Sequence, residues 1–315
     1  MATLPGSAAP PAALAATAPT RIRSSLLERE AVLGWVLVAP AVITLVVMLG
    51  YPFVYGIWLS FLDKQPGLEA KFVGLDNYVY NWTKDQNFPR VIRNTLVYAT
   101  IACVFKAVLG LSLALVMNNR FRLRNASRAA FLLPWIVPTS LSTIAFLWIF
   151  DGTYSVINWS LLNLGVIERG PTYLGDPFWA MVAVIIANVW RGTPFFGITL
   201  LAGLQTISTE LYEAASIDGC GPWERFVHVT LALVKPVLVL VTMFSIIATL
   251  ADFALVYVLT RGGPAFATHI FGTYAYIIGT EGQRLGQGAS ISLSMFPFLL
   301  AFSAVVMIWL RRQEV

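Results

Sequence analysis

The sequence has few charged residues for its length. Charged side chains make up 12% of the 315 residues, whereas hydrophobic side chains make up 57%. A soluble globular domain usually has about 25% charged and roughly 45–50% apolar residues. One soluble core cannot cover this much apolar surface, so we expect lipid to cover much of it. The composition excludes an ordinary soluble domain and predicts an integral membrane protein.

Cysteine and histidine are scarce as well. Cys103 lies in an apolar run and Cys220 in a polar segment, so we expect no structural disulfide, and the pair does not identify a redox compartment. His228 and His269 are far apart in the chain, and neither has neighbours with metal-ligand or nucleophile–base spacing. No catalytic or metal residue is predicted, which disfavours a membrane enzyme.

The sequence has no G-x-x-x-x-G-K-[ST] loop, so nothing in it is built to hold a nucleotide phosphate. The net charge of +5 is spread over arginines that lie between apolar runs, and membrane orientation explains these better than nucleic-acid binding. Residues 1–20 are rich in Ala and Pro and lack the positive start of a signal peptide. We therefore divide the chain into a disordered tail at 1–30 and a transmembrane domain at 31–315.

Six apolar stretches are long enough to cross a bilayer, for which about 20 residues are needed. Because none alternates like a barrel strand, the fold class is all-α, with six transmembrane helices. Prolines inside several stretches either kink the helices or shape a cavity (Pro40, Pro134, Pro138, Pro194 and Pro297). The predicted spans are 31–51 with an apolar continuation to 62, 95–117, 129–150, 178–204, 236–259 and 289–310.

The distribution of Lys and Arg predicts the orientation of these spans. Cytoplasmic loops carry an excess of both, and short loops weigh most. The short loop between the second and third spans has the densest cluster: Arg120, Arg122, Arg124 and Arg128. The sequence therefore predicts that the N and C termini are cytoplasmic.

The segment at 205–236 predicts a helical hairpin between the fourth and fifth spans. Ser208 or Thr209 is suited to cap a first helix, and Gly219 to end it. Gly221 and Pro222 are then suited to open a second short helix, with proline at its first position. The pattern alone indicates only an amphipathic surface hairpin.

This hairpin resembles the EAA signature of ABC import permeases. The matching residues are Glu213, Ala214, Ala215, Asp218 and Gly219. The segments LAGLQ at 201–205, FVGLDNY at 72–78 and LTRGGP at 259–264 resemble the carbohydrate-uptake branch, with its maltose- and glycerol-phosphate-type permeases. Two positions depart from that branch: this chain has Cys220 where the branch usually has Ala, and Ala232 where it usually has Pro.

The resemblance implies the fold of an ABC type I importer permease in a bacterial cytoplasmic (inner) membrane. It implies four kinds of partner besides lipid: a second permease, two ATP-binding subunits, an extracytoplasmic solute-binding protein and a sugar. The five matching residues would dock in a cleft of the ATPase. ATP and magnesium would belong to that ATPase, so this chain would bind no cofactor and no nucleic acid.

Polar residues inside spans predict where a substrate could bind, because they usually face a bundle interior or cavity. Thr242, Ser245, Thr249 and Asp252 are spaced along one helical face, as are Asn188, Arg191 or Gly192, and Phe195. Two alternatives to a substrate site stay open: the hydroxyl groups only form hydrogen bonds between helices, or Arg191 and Asp252 form a purely structural pair. Lys106 is alone on its span and either lies near an interface or snorkels, so it receives no role.

The resemblance places a midmembrane sugar site on the same two helices. The corresponding residues are Asn188, Gly192, Phe195, Ser245, Ala248, Thr249 and Asp252. Phe195 stands in place of Tyr, and Thr249 and Asp252 stand in place of Asn, so the sugar need not be maltose. An ion-coupled sugar carrier, with Asp252 as its ion site, is the alternative. It leaves the EAA segment unexplained, and the sequence shows no clear repeat of spans.

Overall fold

The structure is a computed structural model that describes residues 30–119 and 121–312. It divides into two compact units, which join at residues 54 and 55. The described part of the first unit is helical: α1 (Glu30–Leu45) continues through a π-helical turn (Val46–Gly50) into α2 (Tyr51–Ser60), whose residues from Tyr55 onward belong to the second unit. Leu33–Ser60 is apolar and long enough to span a membrane, as predicted. The predicted tail lies outside the described residues except for Glu30, and Arg120 lies outside them as well.

A small polar segment follows α2. Strands β1 (Leu62–Asp63) and β2 (Lys71–Phe72) form an antiparallel pair, and α3 (Asp76–Thr83) comes next. Asn77 fixes the turn because its Nδ2 donates to the carbonyl oxygens of Ser60 and Leu62, each at 2.9 Å.

Two long helices form the centre of the second unit. Helix α4 (Phe88–Asn118) packs along α8 (Pro177–Gln205), and both confirm predicted spans. Their backbones approach closely, since an added Cβ at Gly110 would overlap the Cβ of Phe196. The Asp176 carboxylate starts α8 by accepting the N–H groups of Phe178 and Trp179 at 2.9 and 3.0 Å.

The predicted third span is not one straight helix. Helices α5 (Arg124–Ile136) and α6 (Thr139–Ile149) meet at an angle of 90°. Val137 is extended at the break, because a residue before proline is pushed out of the helical region, here by Pro138. Helix α7 (Val156–Asn163) follows.

The fifth span begins earlier and ends earlier than predicted. After α9 (Thr209–Ile217), the chain is helical from Pro222 to Leu250. This continuous helix consists of α10 (Pro222–Arg225), a π-helical segment (Phe226–Leu231) and α11 (Ala232–Leu250). The predicted second short helix is therefore the start of the span itself.

The predicted span at 236–259 is also interrupted. Asp252 has φ −78° and ψ 65°, and α12 (Phe253–Thr260) starts after it. The interruption follows from the contacts of Asp252, whose carboxylate is held by side chains of α4 and α8 rather than by its own helix.

The last part of the chain confirms the predicted sixth span. Helix α13 (Phe271–Tyr276) and a π-helical turn (Ile277–Glu281) lead to α14 (Leu285–Ser294) and α15 (Phe296–Arg311). Within residues 30–119 and 121–312, five helical stretches are long and apolar enough to cross a membrane, or six if the bent α5–α6 pair counts as one.

Candidate functional site

A cavity of about 210 Å³ lies where α4, α8 and α11 meet. Trp135 at the end of α5 closes one side. Six of the seven residues predicted to contact substrate line this cavity: Asn188, Gly192, Phe195, Ser245, Ala248 and Thr249. The structure thus brings together two stripes that are more than forty residues apart in the sequence.

Asp252, the seventh predicted residue, does not line the cavity but lies behind it. One of its oxygens, Oδ2, accepts hydrogen bonds from Asn188 Nδ2 at 2.9 Å and from the Tyr98 hydroxyl at 3.2 Å. The same oxygen is 3.6 Å from Arg191 Nη2. The structure therefore contains both features considered from the sequence: an Arg191–Asp252 ion pair and a cavity next to it.

Arg191 connects three parts of the second unit. Besides Asp252, its Nη1 donates to Thr139 Oγ1 at the start of α6. Its side chain is 27% exposed, whereas that of Asp252 is 5% exposed. Arg191 also lines the cavity, so the same side chain pairs with Asp252 and is accessible from the cavity.

Lys106 is a cavity residue that sequence reasoning missed. It is buried, and its Nζ donates to Thr249 Oγ1 at 2.8 Å. Snorkelling to the membrane surface is wrong for this residue, because its side chain points toward α8 and α11. A lone charge in an apolar run was the available signal, since such charges usually face a cavity.

The remaining wall of the cavity is aromatic. The Trp135 and Phe195 rings are stacked with centroids 6.1 Å apart, and Phe244 lies 5.5 Å from Phe195. Trp135 and Phe244 were not predicted, because each lies off the polar stripes that guided the choice. Thr242, which belonged to such a stripe, donates to its own helix at Leu238 O and does not line the cavity.

A second candidate site is the helical hairpin that joins α8 to α11, here the residues 208–231. Ser208 caps α9 by accepting the Glu210 N–H at 3.2 Å. At the other end, Gly219 N–H donates to Ser216 O and Cys220 N–H donates to Ala215 O. This is a Schellman ending, and Gly219 supplies the positive φ of 84° that it requires.

Two side-chain contacts fix the hairpin. Arg225 Nη1 donates to Ser216 Oγ at 2.9 Å, and the Tyr212 hydroxyl lies 3.1 Å from Thr230 Oγ1. Of the five residues that match the EAA signature, Glu213, Ala214, Asp218 and Gly219 are exposed and Ala215 is half-buried.

The hairpin also exposes large apolar side chains. Leu211, Ile217 and Trp223 are 46%, 87% and 73% exposed. Exposed apolar groups of this size, grouped with polar ones, are typical of protein–protein contacts.

The cysteines and histidines form no further site in the described part of the chain. Cys103 and Cys220 are free there, and no group of three or more His, Cys, Asp and Glu side chains is placed to hold a metal.

Comparison with known proteins identifies the family. Residues 106–314 match the family described as "Binding-protein-dependent transport system inner membrane component". This chain belongs to that family. The inner-membrane component is 37% identical to the "Trehalose/maltose transport system permease protein MalF" of Thermococcus litoralis, over 90% of this chain and 95% of the relative.

A second relative agrees with this membership, and a solved structure shares the fold. The "Sulfoquinovosyl glycerol transport system permease protein SmoG" of Agrobacterium fabrum is 33% identical, over 90% of this chain and 92% of the relative. The fold is shared with a chain of a bacterial ABC transporter that imports the acidic polysaccharide alginate. That match has a TM-score of 0.77 at 23% identity and covers 91% of this inner-membrane component and 97% of the other chain.

Proposed function

We propose that this chain is the permease subunit of an ATP-driven importer that moves a saccharide or related polyol across the bacterial cytoplasmic membrane. One observation carries the proposal: two of the helices that line the polar and aromatic cavity, α8 and α11, are the helices that the hairpin joins. A partner that moves the hairpin would therefore move the cavity walls. The protein itself would be a transport subunit and not an enzyme.

The chemistry of the cavity fits a hydroxylated substrate. Asn188, Ser245 and Thr249 offer donors and acceptors for hydroxyl groups. Trp135 and Phe195 offer a flat apolar face for a sugar ring. The names of both relatives refer to sugar-containing substrates. We assign substrate contact to Asn188, Gly192, Phe195, Ser245, Ala248 and Thr249, and the support of Asn188 and Arg191 to Asp252.

Contact with an ATPase is assigned to the hairpin. Glu213, Ala214, Ala215, Asp218 and Gly219 would form its docking surface, next to the exposed Ile217 and Trp223. The contacts between Arg225 and Ser216 and between Tyr212 and Thr230 would let the hairpin move as one piece. The partner ATPase would bind ATP and magnesium and perform the hydrolysis.

The complete importer would contain a second, similar permease, two ATPase subunits and an extracytoplasmic solute-binding protein. The name of the family supports the last of these. Both termini and the hairpin would lie in the cytoplasm, where the ATPase is. The two permeases would alternate between outward-facing and inward-facing states.

Copurification in detergent with the candidate ATPase tests this proposal. Gly219→Pro and Glu213→Lys should release the ATPase or abolish ATP-driven uptake, because the first distorts the turn at Gly219 and the second reverses a charge on the docking surface. Gly165→Pro and Glu168→Lys are matched controls, since Gly165 also has a positive φ, Glu168 is also exposed, and both lie between α7 and α8. These controls should keep the ATPase bound. Sugar flux driven by an ion gradient, without any ATPase, would overturn the proposal in favour of an ion-coupled carrier with Asp252 as the ion site.

A further inference from the structure

The Lys106 side chain occupies space that is available because the neighbouring helix has a glycine, Gly192, opposite it. Gly192 lies in the helical backbone of α8, where any residue can adopt the required conformation. A Cβ atom at this position would lie 2.5 Å from Lys106 Cδ and 3.4 Å from Lys106 Nζ. The glycine therefore provides space and not backbone freedom. Because the obstructed group is a flexible side chain, alanine at 192 would displace Lys106 without moving either helix.

The Lys106 ammonium has donors left for a ligand. An ammonium has three N–H groups. In the part of the chain that the structure describes, only one of them has a protein acceptor, Thr249 Oγ1 at 2.8 Å. The nearby carboxylate of Asp252 is instead held by Arg191. The ammonium thus lines the cavity with two donors that no protein atom uses.

We infer that Lys106 is a sugar-binding residue contributed by α4, and that Gly192 is the positioning residue that lets its side chain enter the cavity. This inference rests on the proposed function and extends it to a third helix. The ammonium donates to hydroxyl or ring oxygens of the sugar, while Thr249 fixes its direction. Gly192 has no side chain to offer the sugar, and the three atoms nearest to an added Cβ all belong to Lys106, so the residue acts on the substrate through Lys106.

The experiment uses the complete importer in proteoliposomes with its binding protein. The probe is whichever of maltose, trehalose and sulfoquinovosyl glycerol most stimulates ATP hydrolysis by the wild-type complex. Lys106→Met keeps the length of the side chain but removes the donors, and it should lower sugar uptake about tenfold or more, the effect of one hydrogen bond from a charged donor. Gly192→Ala should lower uptake by a similar factor.

A double-mutant comparison tests whether Gly192 acts through Lys106. When Lys106→Ala has already removed the long side chain, adding Gly192→Ala should cause no further loss of uptake. Gly203→Ala is the matched control on the same helix, because its Cβ would meet Val237 at 3.2 Å, away from the cavity. Its effect should add to that of Lys106→Ala. Independent, additive losses for Gly192→Ala would overturn the positioning role.

Sugar protection separates ligand contact from a structural role. Lys106→Cys is prepared in a chain in which Cys103 and Cys220 are serine, and its labelling by a small thiosulfonate reagent is measured. Bound sugar should slow the labelling severalfold. Equal rates with and without sugar, or wild-type uptake by Lys106→Met, would overturn the inference while leaving the importer intact. Sugar flux driven by an ion gradient, without any ATPase, would instead overturn the proposed importer function on which the inference rests.

Discussion

Asn188 Nδ2 donates to Asp252 Oδ2 at 2.9 Å, and this contact joins the helix that lines the cavity to the residue that interrupts the fifth span. Asp252 also pairs with Arg191 from the same helix. One carboxylate therefore orients two cavity residues of α8. Its own position depends on them in turn, because it lies between α11 and α12 and belongs to neither.

Asp252→Asn should destabilise the protein by about 1–2 kcal/mol, because it removes the charge that faces Arg191. Loss of one partner of a fully buried pair costs roughly 3–5 kcal/mol, and the partial exposure of Arg191 lowers this value. Thermal unfolding in detergent measures the effect, with the exposed Asp63→Asn as the control. Adding Arg191→Met should recover part of the loss. Equal melting of Asp252→Asn and wild type would show that the pair contributes nothing.

Gly219→Ala should weaken the hairpin, whereas Gly221→Ala should not. A non-glycine residue at a positive φ costs roughly 1–2 kcal/mol, and φ is 84° at Gly219 but −67° at Gly221. An added Cβ at Gly221 would meet only Glu224 Oε2, at an ordinary 3.7 Å. Hydrogen exchange of the Cys220 amide, which is bonded to Ala215 O, should accelerate in Gly219→Ala alone. The same acceleration in both variants would contradict the conclusion that the positive φ of Gly219 requires glycine.

Ala232→Pro should cost less stability than Leu233→Pro, although it removes the hydrogen bond from the Ala232 N–H to Val229 O. The φ of Ala232 is −60°, which proline adopts, and the π-helical segment before it already interrupts the regular hydrogen-bond pattern. Leu233→Pro, one residue further into α11, should cost about 3 kcal/mol because it breaks a regular helical turn. Melting temperatures of the two variants provide the test, and equal losses would refute the distinction.

Acid should destabilise the segment around His269. Burial lowers the pKa of His269 to about 4, against a smaller opposing effect of Glu281. In the unfolded chain the pKa of His269 is near 6.5, so between about pH 6.5 and 4 the unfolded state binds a proton that the folded state does not. The contribution of His269 to stability is therefore fully present above about pH 6.5 and is lost as the pH falls from about 6.5 to 4. The loss attributable to this group is at most about 3 kcal/mol.

Unfolding of His269→Gln across this pH range isolates the contribution. Both proteins lose stability as carboxylates titrate, but the wild type should lose more below pH 6.5. Parallel curves would mean that His269 takes up its proton without leaving its site, where it now lies beside Phe266 and Tyr274.

The sequence predicted the α8 side of the cavity because the pattern there is local. Asn188, Gly192 and Phe195 follow helical spacing within one uninterrupted helix, so their common face is fixed by the helix itself. The same holds for Ser245 and Thr249 on α11. The hairpin was also predictable, since caps and glycine ends depend on adjacent residues.

Other features depend on contacts between distant residues, and the sequence could not reveal them. Asp252 interrupts the fifth span because Asn188 and Tyr98, 64 and 154 residues away, hold its carboxylate. Lys106 points inward because a different helix has a glycine opposite it. Pro138 indicated a kink in the third span, but a proline in the sequence does not specify the 90° angle between α5 and α6.

The unbroken helix from Pro222 to Leu250 has a mechanical consequence. Its 29 residues measure about 43 Å, and the cavity-wall residues Ser245 and Thr249 lie roughly 35 and 40 Å along it from Pro222. A torque applied at Trp223 would turn that wall directly, without any intermediate relay. The π-helical segment and Pro236 are the two places where regular helical bonding lapses. The stiffness of those two points would therefore determine how much of a movement at the hairpin reaches the cavity wall.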